Sequence, residues 1–154
     1  MVLRSWIDDW NDIIRNVIFK DEELKSLMKL PANTNIITFI DKYFIRAGYT
    51  TEVLTNESVR IVYGTIARGD AMNPYVTRNE MSFDIYVKLE DLHNVERDRL
   101  VFRNHLIAKR LIDLLTNQRY LGAYRFTVEG EGDMGTSTIG YTRYNVTFGF
   151  MKTY

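Results

Sequence analysis

The sequence predicts an α+β fold: a mixed or antiparallel sheet of about five strands, a long helix packed on one face, and N-terminal helices. Three observations predict it. Apolar residues recur at helical spacing before Gly48. The spacing changes to period two after it. One long amphipathic stretch from Asn94 then separates the earlier strands from the last two. The 154 residues form a single domain, with 1–47 as an N-terminal helical arm and 48–154 as the α+β core.

Ser5 is placed to cap a first helix, on which Trp6, Trp10, Ile13, Ile14 and Val17 share a face. A second helix starts near Asp21, where Glu22 and Glu23 suit the positive end of the helix dipole, and stops before Pro31. A third is expected from Thr34 to Ala47, with Gly48 as its stop. Strands follow at Tyr49–Leu54 and Val59–Ala67, then a loop at Arg68–Pro74. Met81–Leu89 is the cleanest strand. Met81, Phe83, Ile85, Val87 and Leu89 alternate with polar or amphipathic residues, so the odd-numbered side chains should be buried. They should meet the stripe Leu100, Val101, Ile107, Ala108, Leu111, Ile112 and Leu115 of a helix spanning Asn94–Thr116. The last strands are Ala123–Glu129 and Thr138–Lys152, joined by a Gly-rich loop.

Composition narrows the function. Twenty basic and twenty acidic residues give zero formal net charge, whereas a chain built to grip phosphate carries a basic excess. The absence of cysteine removes disulfides, thiolate nucleophiles and cysteine metal sites. No segment has the ~20 apolar residues of a membrane span, and acidic residues interrupt the N-terminus where a signal peptide needs an apolar run. Ten tyrosines suit both sheet surfaces and interfaces.

No motif calls for chemistry. Gly130-Glu131-Gly132-Asp133-Met134-Gly135 matches G-x-G-x-x-G, but a strand follows it where dinucleotide binding needs a helix. Its two carboxylates would also repel phosphate, so it reads as a hairpin tip. His93 and His105 have no partners at metal-ligand spacing and read as structural. Asp8, Asp9 and Asp12 suit a helix N-terminus. Arg99, Arg103 and Arg110 form a candidate basic face on the long helix, but Glu96, Asp98 and Asp113 are interleaved with its basic residues. No enzyme activity, cofactor or metal is expected.

From Asn73 onward the order of elements carries a resemblance. Asn73-Pro74-Tyr75-Val76 precedes the strand Met81–Val87. A helix ends in Ile107-Ala108-Lys109-Arg110-Leu111-Ile112-Asp113-Leu114-Leu115. Tyr124–Val128 and a tyrosine-containing final strand, Tyr144–Phe148, complete the chain. The arrangement resembles the tail-terminator, or tail-completion, proteins of tailed bacteriophages. The N-terminal helices are longer than the simplest members carry, which leaves another neck, adaptor or stopper protein as an alternative. The resemblance implies a virion protein at the neck or tail end, assembled in the host cytoplasm. It implies a homo-oligomeric ring, often six-fold, that contacts the tail tube and the head connector while DNA passes through without sequence-specific binding. Trp6, Trp10, Tyr75, Gly130, Glu131, Gly132, Asp133 and Met134 are the candidate interface residues. Two other classes stay open: a nucleic-acid-binding module using the Arg99/Arg103/Arg110 face, and an enzyme whose site is assembled from scattered carboxylates and tyrosines.

Overall fold

The computed structural model of the chain describes residues 6–48, 56–73, 76–93, 101–116, 126–135 and 140–153. The elements run α1 (Trp6–Ile13), α2 (Glu22–Leu27), α3 (Ile36–Thr38), β1 (Phe44–Arg46), β2 (Val59–Asn73), β3 (Val76–Lys88), α4 (Leu89–Leu92), α5 (Arg103–Thr116), β4 (Thr127–Asp133) and β5 (Tyr141–Thr153). Wide π turns extend α1 through Ile14–Ile18 and α3 through Phe39–Tyr43. The five strands form one mixed sheet in the order β1-β2-β3-β5-β4. Only β1 and β2 run parallel; the other pairs are antiparallel.

Strand β3 has the alternation that the sequence predicts. Met81, Phe83, Ile85 and Val87 are buried, while on the opposite face Ser82, Asp84 and Lys88 are half-buried and Tyr86 is buried as well. Register carries the same faces across the sheet. Phe83 pairs with Tyr63 on one side and Val146 on the other; Met81 pairs with Thr65 and Phe148. Helix α5 supplies Ile107, Ala108, Leu111 and Leu115 to this face, and α1 with its π extension supplies Trp10, Ile13, Ile14 and Ile18. At the centre Phe83 touches four aromatic rings, those of Trp10, Phe44, Tyr63 and Phe148, at centroid distances of 5.9, 5.9, 6.3 and 5.6 Å.

Several boundaries differ from expectation. The third helix does not reach Ala47. It begins after the N-cap Asn35, whose side chain accepts from the Thr38 N–H at 2.8 Å, widens into the π turn, and becomes strand at Phe44. There the outer edge of β2 offers backbone partners, and Phe44 reaches the core beside Tyr63, so tertiary pairing overrides the helical pattern. The expected loop Arg68–Pro74 is strand through Asn73, with a register shift between Arg68 and Asn73. The expected Gly-rich loop is likewise strand through Asp133, because β5 leaves an edge on which Gly130 and Gly132 can pair. A bulge places Glu129 over Gly149, where a Cβ would meet the Glu129 carboxylate. Helix α5 starts at Arg103, and Val101 and Phe102 precede it outside the helix. Leu89, expected inside, opens α4 and is exposed. The expected cap Ser5, the strand Tyr49–Leu54 and the helix start at Asn94 lie outside the described residues.

The segment before Gly48 contributes helices to the core and a strand to the sheet. An ion pair also ties it to α5. Asp21 caps α2 by accepting from the Leu24 N–H, and the same carboxylate takes two hydrogen bonds from Arg110 on α5.

Candidate functional site

The packed helices share one face of the sheet, and the middle of the other face is polar. Ser82 and Asp84 on β3 sit across from Thr147 and Asn145 on β5. The Asn145 amide donates to Ser82 Oγ at 2.7 Å and Asp84 Oδ1 at 2.9 Å, and its oxygen accepts from Thr147 at 2.9 Å. Arg143 lies against the Asp84 carboxylate at 3.1 Å, and that pairing holds its guanidinium pKa above the usual value. Gly64, Gly130, Gly132 and Gly149 belong to the same face by register, so much of it is shallow. One end is closed over: Tyr141 donates to the Glu57 carbonyl at 2.9 Å, and Arg60 donates to the Lys42 carbonyl at 2.9 Å. The network was legible as polar alternation on β3, but its partners on β5 required the register.

The two sheet edges differ in character. Strand β4 forms one edge; it is exposed over nearly its whole length and carries Glu129, Glu131 and Asp133 with no basic residue. Met134 beyond it is exposed. Strand β1 forms the other edge, with the exposed cations Lys42 and Arg46 beside and within it.

Among the expected interface residues, Trp10 is 5% exposed and belongs to the core. Trp6 opens α1. Gly130, Glu131, Gly132, Asp133 and Met134 lie along the β4 edge. Tyr75 and Arg99 lie outside the described residues. The two described arginines of the candidate basic face are engaged internally. Arg103 donates to the Leu27 and Asp91 carbonyls, each at 2.9 Å, and burial pulls its pKa below the ordinary arginine value despite Asp91 nearby. Arg110 holds Asp21 at 2.9 and 2.6 Å and Glu23 at 3.2 Å. Its pKa is raised, chiefly by the hydrogen bonds to Asp21.

His105 bridges α5 to the acidic edge. Its Nε2 lies 3.3 Å from Asp133 Oδ1, and its ring packs on Phe102 and Tyr144 at 5.5 and 5.0 Å. Burial, then Glu131 and Asp133, push the Tyr144 hydroxyl pKa up. His93 also meets Phe102 edge-on, at a centroid distance of 6.5 Å. Among the described residues no three His, Asp or Glu side chains are placed to hold a metal ion, and no helix is long and apolar enough to cross a membrane. A shallow cleft lies between α2 and the turn at Pro31, with Glu22, Lys25, Ser26 and Thr34 as its polar lining.

The described residues present a shallow polar sheet face and two edges of opposite charge. No curated protein matches the chain in sequence. A family model does, over residues 7–150, and on that match the chain belongs to the YomW family, a phage-derived, SPBeta prophage-like family.

Proposed function

We propose that the chain is a structural subunit of a phage particle, assembling head to tail into a six-fold ring at the head–tail junction. The ring would end the tail tube and join it to the head connector, and it would act by binding, without catalysis. The observation that carries this reading is membership of a phage-derived family by a chain whose elements from Asn73 onward resemble those of tail terminators. Two further features support it. A zero net charge suits a passage through which DNA slides. Two unlike sheet edges suit a head-to-tail contact, which closes into a ring when the rotation per subunit divides the circle.

A nucleic-acid-binding module is less favoured. It would need Arg103 and Arg110 as free cations, and both guanidinium groups are spent on internal partners. Another neck adaptor or stopper shares the ring geometry and differs in its position along the particle.

Imaging of the assembled particle with this subunit labelled tests the reading. The expected result is a closed ring of copies between head and tail tube. A particle that lacks the chain, or holds it as an isolated copy touching no other, would end the proposal.

A further inference from the structure

We infer that the contact between neighbouring copies is made by the β4 edge of one chain against the β1 edge of the next, an inference that rests on the ring proposed above. Strands β4 and β1 are the two ends of the sheet. Among the described residues, each is paired with a strand on one side only. An open edge presents backbone N–H and C=O groups that can accept another strand, and natural proteins control which strand by placing charge there.

Charge selects the partner. The β4 edge carries Glu129, Glu131 and Asp133, while the β1 edge carries Lys42 and Arg46 with Asp41 as the nearest counter-charge in sequence. Two β4 edges placed together would set carboxylate against carboxylate, which destabilises strand pairing. Self-pairing about a two-fold axis is thereby disfavoured, and an acidic-to-basic contact is left. Such a contact uses two different surfaces of one chain, so each added copy exposes a fresh edge for the next.

Two of the four large exposed apolar side chains among the described residues lie at the β4 edge, and a third precedes β1 in sequence. The large exposed hydrophobic residues among those described are Ile37, Leu89, Val128 and Met134. Val128 lies on β4 and Met134 directly follows it; Ile37 lies on the turn of helix that leads into β1. Burial of Val128 and Met134 against the Ile37 side of a neighbour would add an apolar component to the paired charges.

The test is a charge exchange read by particle mass, using analytical ultracentrifugation of the full chain. One variant carries Glu131→Lys with Asp133→Lys; the other carries Lys42→Glu with Arg46→Glu. Circular dichroism checks that each is folded, and Val128→Arg provides a third variant on the same edge. Wild-type chain is expected to self-associate. Each variant is expected to weaken that association by ~10-fold or more, and an equal mixture of the two charge variants to restore it, since reversed edges then face each other. Assembly of the wild type that none of the variants disturbs overturns the edge contact and leaves the ring standing. A mixture that remains dissociated overturns it too. Wild-type chain that stays monomeric at high concentration also overturns it, and images of the particle then judge the ring separately.

Discussion

Asp21 and Arg110 stand 89 residues apart in sequence and meet through two hydrogen bonds, Nε to Oδ2 at 2.9 Å and Nη2 to Oδ1 at 2.6 Å. The same Asp21 carboxylate accepts the Leu24 N–H at 2.9 Å as the N-cap of α2. One side chain therefore starts a helix and fastens it to α5. Asp21→Ala removes both roles and should cost about 2–3 kcal/mol, whereas Asp21→Asn keeps a capping oxygen and should cost about 1 kcal/mol. Urea unfolding of both variants checks this, and equal losses would show that the cap contributes nothing.

Acid should destabilise the fold through the same carboxylate and one other. Asp21 is held below the usual carboxylate pKa by its hydrogen bonds with Arg110, and Asp91 by those from Lys29 and then Ser58. A lowered folded-state pKa gives stability that is fully present above the unfolded value of about 3.9 and is lost as pH falls through the folded value. Unfolding free energy should be level near neutrality and decline below about pH 4. Asp21→Asn should flatten that decline, and an identical pH profile in the variant would remove Asp21 from the account.

Arg103 is a tie between elements. Its donors satisfy the Leu27 and Asp91 carbonyls, in the C-terminal turns of two short helices. Arg103→Ala should cost about 1–3 kcal/mol, and Arg103→Lys should recover little because a single ammonium cannot span both carbonyls. In filter binding with duplex DNA, Arg103→Ala and Arg110→Ala should leave the salt dependence of any residual binding unchanged. A slope that falls by about one per arginine would revive the nucleic-acid alternative.

Neighbouring residues on β3 should respond very differently. Phe83 is fully buried among aromatic rings, so Phe83→Ala should cost about 3–5 kcal/mol. Ser82 on the opposite face accepts from Asn145, which keeps Asp84 as a second partner, so Ser82→Ala should cost under about 1 kcal/mol. Thermal unfolding of the pair measures the asymmetry of the two faces, and comparable losses would contradict it.

Fold class, the buried face of β3, the apolar stripe of α5 and the start of α2 at Asp21 were all legible in the sequence. Each depends on local information: a period of two or 3.6, or a capping side chain next to the helix it starts. Other features depend on partners distant in the chain. Phe44–Arg46 reads as helix until β2 offers it a strand edge, and Gly130–Asp133 reads as a loop until β5 does the same. Arg103 and Arg110 read as a basic face until their internal partners are seen. The polar network of Asp84, Arg143 and Asn145 and the opposite charges of the two sheet edges follow from strand order and register. Backbone pairing and ion pairs join residues far apart in the chain, and no local period records which partner each group finds.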